Sequence, residues 1–258
     1  VVIAPGDGIG TEIMVHVLDI LHHSKVPLLF KMIKVGKKIY EQGCISGFDD
    51  ATWAILKRHK VLLKGPLTTL LDKKSKKIVS NESADIIRIF NSSFDKITGN
   101  TEDFWPKNLQ KEIEPINKRI YETLNNGVYR AGFATSQSSY DEAVTKLFDT
   151  MEWLEEILSN NRFLLGDRVT EADWRLFPTL ARFDSVYHFH FKCNRKRLID
   201  YKNLWAYTRD LYQTFGISKT VHLNHAIRHY YYSHASINPH QIIPINPIIN
   251  FNEPHKRS

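Results

Sequence analysis

The 258-residue chain is long enough for one large domain or two smaller ones, and with 42% apolar and 24% charged residues it is neither a disordered polyelectrolyte nor a bundle of membrane spans. No apolar run approaches the ~20 residues that cross a bilayer, so no membrane partner is expected. The net charge of +7 comes from short clusters, Lys73-Lys74, Lys76-Lys77 and Arg195-Lys196-Arg197, set among carboxylates; this predicts solvated faces and no nucleic-acid partner, which would need a basic stripe interleaved with aromatics.

Cys44 and Cys193 form no CxxC motif and no disulfide framework, which favours a reducing compartment. The first residues lack the basic, apolar and small-residue pattern of a secretory signal, so a cytoplasmic location is expected.

In chain order, residues 1 to 4 predict a strand, Pro5 to Gly10 a glycine loop, and Met14, Val17, Leu18 and Leu21 a helix. Residues 28 to 35 predict a second strand, Asp49-Asp50 the start of a helix through Trp53 and Leu56, and residues 60 to 63 a third strand. A glycine-rich turn between strand and helix lets backbone amides approach a phosphate, but G-x-G-x-G lacks the third glycine of the dinucleotide fingerprint.

Ile3-Ala4-Pro5-Gly6-Asp7-Gly8-Ile9-Gly10, Val35-Gly36-Lys37-Lys38-Ile39-Tyr40-Glu41 and Lys64-Gly65-Pro66-Leu67-Thr68-Thr69 resemble the beginning of isocitrate dehydrogenases, with Thr11 where that family usually has proline. The resemblance implies an α/β fragment. The family's substrate arginines, acid–base tyrosine and lysine, and metal-binding aspartates do not follow Thr69. Dehydrogenase chemistry, which needs a metal held by carboxylates, is therefore not expected.

From Leu70 the pattern changes. Leu70 to Ser80 predicts a β-hairpin with a polar turn, and Ser83 to Phe90 a helix with Ile86, Ile87 and Phe90 inward. Longer helices follow, with apolar stripes at Ile113, Ile116, Ile120 and Leu124; at Ala143, Leu147, Met151, Leu154 and Leu158; and at Leu223, Ile227 and Tyr231. Thr170-Glu171-Ala172-Asp173 before Trp174 predicts a capping box.

That box, after Phe163-Leu164-Leu165-Gly166-Asp167, is similar to one in the helical domain of glutathione transferases. Further stretches resemble the Xi class of that family, the glutathionyl-hydroquinone reductases. They are Asn81 to Arg88, Asn125-Asn126-Gly127-Val128-Tyr129-Arg130-Ala131-Gly132-Phe133-Ala134, Glu171 to Phe177, His190 to Asn194, and His229-Tyr230-Tyr231-Tyr232-Ser233-His234.

The resemblance implies a mainly α protein: a glutathione-transferase helical bundle with a partial thioredoxin-like hairpin and helix, preceded by the dehydrogenase-type α/β fragment. The expected divisions are residues 1–69, 70–100, 101–235 and a tail over 236–258. An alternative, in which residues 1 to 69 dock in place of the missing thioredoxin half, would pair Val61 or Leu62 in one sheet with Ile78.

By resemblance the co-substrate is glutathione, gripped at its γ-glutamyl end by Glu82 and Ser83, and the substrate an aromatic hydroquinone conjugate bound near Tyr129, Tyr230 and Tyr231; a homodimer is compatible with the family. The residue types suit the task. A carboxylate pairs with an ammonium, helix-start amides bind a carboxylate, and phenols hydrogen-bond phenolic oxygens. The plain alternatives are a helix cap at Glu82-Ser83 and core packing for at least one of Tyr230 and Tyr231.

In this family a cysteine thiolate attacks the sulfur of a glutathionyl-hydroquinone, releases the hydroquinone, and is freed from the mixed disulfide by a second glutathione. No cysteine stands at the required position here, since Cys44 lies in the dehydrogenase-like segment and Cys193 in a helical motif. Reductase activity is therefore expected to be lost, and a non-catalytic ligand-binding or dimerisation module is the alternative. His225 with His229, and His188, His190 and Cys193, have spacings open to metal ligation, but no metal is assigned because no carboxylate or cysteine motif accompanies them.

Overall fold

The computed structural model describes residues 1–4, 14–15, 17–19, 29–33, 50–58, 62–64, 70–71, 78–80, 82–245 and 249–257. The chain divides into two compact units, Val1–Asp103 and Phe104–Ser258.

In the first unit, strands β1 (Val2–Ala4), β2 (Lys31–Met32) and β3 (Leu62–Lys64) form a parallel sheet in the order β2-β1-β3. Val2 stands opposite both Lys31 and Leu62. Central β1 is a continuous buried apolar run, as a strand covered on both faces must be. Helical residues 14–15 and 17–19 bring Met14, Val17 and Leu18 onto Ile3, and helix α1 spans Asp50–Arg58. The glycine loop and Cys44 lie outside the described residues.

The hairpin forms as expected, β4 (Leu70–Leu71) pairing antiparallel with β5 (Ile78–Ser80). Leu62 pairs with Val2 whereas Ile78 pairs with Leu71, so these strands belong to separate sheets. That is not the single sheet expected of a docked replacement half. Helix α2 (Ser83–Ser92) follows, and then the short α3 (Asp95–Thr98), ended by Gly99 at φ 70°.

Along α2 the expected inward face is corrected: Ile86 is buried, but Ile87 and Phe90 are exposed. Consecutive side chains on a helix diverge by about 100°, so the packed face takes Ile86 and turns Ile87 away. The Phe90 ring instead stacks on Phe94 at 5.4 Å.

The second unit is helical: α4 (Gln110–Ile120), α5 (Gly127–Gly132), α6 (Gln137–Asn160), α7 (Glu171–Arg182), α8 (His188–His190), α9 (Lys202–Gln213) and α10 (Leu223–Ser233). Wide π-helical turns, Tyr121–Asn125 and Phe183–Tyr187, follow α4 and α7. The stripe from Ile113 to Leu124 and that from Ala143 to Leu158 are buried throughout, in one core shared with α7 and α9. Each Ile, Leu or Met in these stripes contributes about 1.5–3 kcal/mol by leaving water, an upper estimate because unfolded chains already bury some surface.

Polar contacts fix this unit. Asp173 is fully buried, and its carboxylate accepts from the Thr170 amide (2.7 Å) and hydroxyl (2.9 Å), the Leu164 amide (3.0 Å) and the Tyr207 hydroxyl (2.9 Å). The capping box therefore joins α7, the loop before it and α9. The Glu155 carboxylate on α6 accepts from the amides of Asn203 (2.8 Å) and Leu204 (2.7 Å), capping α9 from a neighbouring helix.

The segment 249–257 is a strap. Phe251 is buried against Trp205 and Tyr212, and the Gln213 amide donates to the carbonyls of Phe251 (2.8 Å) and Glu253 (2.7 Å). The Arg257 guanidinium donates to the carbonyls of Leu158 (2.9 Å), Asn161, Arg162 (2.9 Å) and Asn203 (3.4 Å), closing the C-terminus of α6.

The Arg195-Lys196-Arg197 cluster is tied into local structure. Arg197 bridges Asp200 (2.7 Å), and Lys196 lies over the Tyr201 ring (3.6 Å) and reaches Glu152 (3.4 Å).

Candidate functional site

In the first unit, Glu82 occupies the N-cap of α2 in extended conformation, and its carbonyl accepts from the Ile86 amide at 3.0 Å. Glu82 and Ser83 are both exposed at the helix start, where the positive dipole end favours an anion.

In the second unit, the three tyrosines named from the sequence separate. The Tyr129 hydroxyl lies 2.5 Å from that of Tyr230, which lies 3.0 Å from the hydroxyl of Tyr187. Tyr129 is 38% exposed, whereas Tyr230 and Tyr187 are 6% and 2%, so the row runs from surface to interior. At its inner end the charge of Arg182 bears on the Tyr187 phenol.

Tyr231, the other candidate on this helix, is buried on the His190 ring at 4.4 Å. Of the two neighbours on α10, Tyr230 is the one whose hydroxyl bonds Tyr129 and Tyr187.

Aromatic rings brace the row. Phe191 lies 5.3 Å from Tyr129, 5.7 Å from Tyr187 and 5.8 Å from Tyr230, and Phe133 flanks it at 5.3 Å. Gly132 makes this possible, because a Cβ there would sit 2.3 Å from two Phe191 ring carbons. The His190 and His234 rings close the cluster, with their nitrogens 3.1 Å apart.

Burial raises the Tyr187 phenol above its ordinary 10.0, opposed by the charge of Arg182. Burial, with Tyr187 and Tyr129 adjoining, likewise pushes Tyr230 up. Tyr187 and Tyr230 are therefore protonated at neutral pH and offer hydroxyl donors.

Cys193 is fully buried; its thiol reaches only the Phe191 carbonyl at 3.8 Å, and burial pushes it up to about 12. A thiol so placed is not a nucleophile at neutral pH. Among the described residues no group of three or more His, Cys, Asp and Glu could hold a metal ion, and no helix is long and apolar enough to cross a membrane.

Tyr187 is the member that spacing did not reveal. It ends the wide turn after α7, which breaks the helical spacing rule. The signal present was the density of aromatics over Phe183, Tyr187, Phe189 and Phe191.

The helical unit with its tyrosine row defines the class, and the family model for the glutathione S-transferase C-terminal domain matches residues 137–210. A glutathione transferase structure from Gordonia bronchialis is 35% identical with a TM-score of 0.73, over 99% of this chain and 83% of that one. The chain belongs to the glutathione transferase family.

Within the family it is 53% identical to the glutathionyl-hydroquinone reductase YqjG of Escherichia coli, over 73% of this chain and 57% of that protein. The glutathione-bound structure of YqjG superposes with a TM-score of 0.71 at 51% identity, over 75% of this chain and 63% of that chain. The chain thus spans a little under two thirds of the length of these relatives. Separately, a 69-residue stretch is 41% identical to NADP isocitrate dehydrogenase of Rickettsia typhi, covering 27% of this chain and 14% of that enzyme.

Proposed function

We propose that this is a protein of the glutathionyl-hydroquinone reductase type. Its helical unit binds an aromatic hydroquinone, free or as its glutathionyl conjugate, and Glu82 with Ser83 binds glutathione as the co-substrate. The observation that carries the reading is the hydroxyl row of Tyr129, Tyr230 and Tyr187, whose outer ring is the partly exposed one. A packing role alone does not call for three phenols in mutual contact, since each buried hydroxyl must then be satisfied at the cost of desolvating it.

Residues 1–69 are assigned as a dehydrogenase-type α/β segment, 70–100 as the remnant of a thioredoxin-like unit, 101–235 as the helical domain and 236–258 as its tail. The reactive thiolate of the family's chemistry has no counterpart in Cys193, which burial keeps protonated. That favours a second reading, ligand binding without turnover.

Calorimetry of the full chain with hydroquinone and its glutathionyl conjugate separates the outcomes. Binding weakened about tenfold or more by Tyr129→Phe or Tyr230→Phe, and a conjugate affinity reduced by Glu82→Gln, supports the assignment. Absence of binding at millimolar ligand removes it. Glutathione-dependent release of hydroquinone by the Cys193→Ala variant at the wild-type rate would show that turnover uses some other group.

A further inference from the structure

We propose that His234, held from behind by His190, is a specificity-determining residue that binds the second hydroxyl of a para-diphenol whose first hydroxyl meets Tyr129. This rests on the assignment of the tyrosine row to a phenolic ligand.

His234 is the C-cap of α10, about one turn beyond Tyr230, and is half-buried. Its Nδ1 lies 3.1 Å from Nε2 of His190, which is buried at the end of α8. Two facing ring nitrogens at that distance share one proton, one donating and the other accepting, so the bond holds the His234 ring in either tautomer. The ring planes lie within 19° of each other, and the centroid separation of 5.3 Å is about the nitrogen gap plus two ring radii, so the facing nitrogens are in line.

The two nitrogens of an imidazole point to opposite sides of the ring. With Nδ1 turned to the buried His190, Nε2 lies on the side away from it, and no described residue hydrogen-bonds it. Tyr129 and His234 also stand on the same two buried rings. Phe191 lies 5.3 Å from Tyr129 and 5.6 Å from His234, and Tyr230 lies 6.3 Å and 5.4 Å from them. Phe133, one turn after Tyr129, meets the His234 ring edge to face at 5.1 Å and is 43% exposed.

The partly exposed surface thus combines a phenol, an imidazole and an apolar ring. A benzene ring with a hydroxyl at each end matches it, with its body on Phe133, one hydroxyl on Tyr129 and the other on Nε2 of His234. A hydroxyl both donates and accepts, so it suits Nε2 whichever tautomer is present. A methyl group in place of the second hydroxyl would cover Nε2 and leave it unpaired.

The test is calorimetry of the full chain with hydroquinone and with para-cresol, which keeps one hydroxyl and carries a methyl group in place of the other. His234→Phe retains an aromatic ring against Phe133 and Phe191. It should weaken hydroquinone binding about tenfold, the scale of one hydrogen bond, and leave para-cresol unchanged, whereas Tyr129→Phe should weaken both. His190→Phe, which frees the His234 ring, should reproduce the selective loss, and His190→Gln, which can still bond Nδ1, should restore part of it.

An unchanged preference between the two probes in a folded His234→Phe overturns the proposal while leaving the phenolic site standing. Full selectivity in His190→Phe overturns the positioning role of His190. If His234→Phe does not fold, the imidazole nitrogen resonances of the isotope-labelled wild type decide: hydroquinone should shift the His234 Nε2 signal and para-cresol should not, and an equal response overturns the proposal. Failure of the wild type to bind either probe overturns the phenolic site and this inference with it.

Discussion

Replacing Gly132 by alanine tests whether the aromatic cluster is as closely packed as its distances imply. Alanine on a helix normally gains up to about 1 kcal/mol over glycine, through the lost backbone freedom of the unfolded chain. Here the added Cβ would lie 2.3 Å from Cγ and Cδ1 of Phe191 and 2.8 Å from its Cβ. The ring has little room to yield, since Tyr129, Tyr187 and Phe133 pack around it at centroid distances of 5.3, 5.7 and 5.3 Å.

Overpacking of that kind costs roughly 3 kcal/mol at the upper end, so after the helix gain Gly132→Ala should lose about 2 kcal/mol and melt about 5 °C lower. Gly127, at the other end of α5, is the internal control. A Cβ there meets Leu147 at an ordinary 3.9 Å, and Gly127→Ala should be neutral or slightly stabilising. Thermal melts followed by near-ultraviolet circular dichroism of the two variants decide the matter. A Gly132→Ala protein that melts at or above the wild type would refute the reasoning.

Two further outcomes follow from the helical unit. Arg257→Met should cost about 2 kcal/mol in urea denaturation, because it strips a cationic cap from the last carbonyls of α6. Burial, with His234 and Lys192 nearby, holds His190 down at about 4 from its ordinary 6.5. The folded state thus resists a proton that the unfolded chain accepts, so the contribution of His190 is complete above pH 6.5 and is lost as the pH falls toward 4. It amounts to about 3 kcal/mol, and His190→Phe should flatten the decline in urea midpoint between neutral pH and about pH 5.

Local rules made much of the fold legible. The stripes from Ile113 to Leu124 and from Ala143 to Leu158 are buried because a 3.6-residue period leaves them one side to occupy. Thr170 and Asp173 were readable as a cap because both partners lie within one turn, but the Asp173 bonds to Leu164 and Tyr207 were not. The caps that Glu155 and Arg257 supply were equally hidden, since each bridges 48 residues or more. In the site, Tyr129 and Tyr230 came from motifs, whereas Tyr187 had to await the geometry.

The wide turns after α4 and α7 have a consequence for how this sequence can change. Each holds one residue more than a regular turn, and Tyr129 lies just beyond the first while Tyr187 ends the second. Removing that extra residue would restore a standard helix at no cost in propensity, yet would rotate whatever follows by about 100° and swing its phenol out of line. Substitution is thus the tolerated kind of variation in these segments, and length is the guarded property: a frame of two insertions that keeps separate helices in phase at a single point.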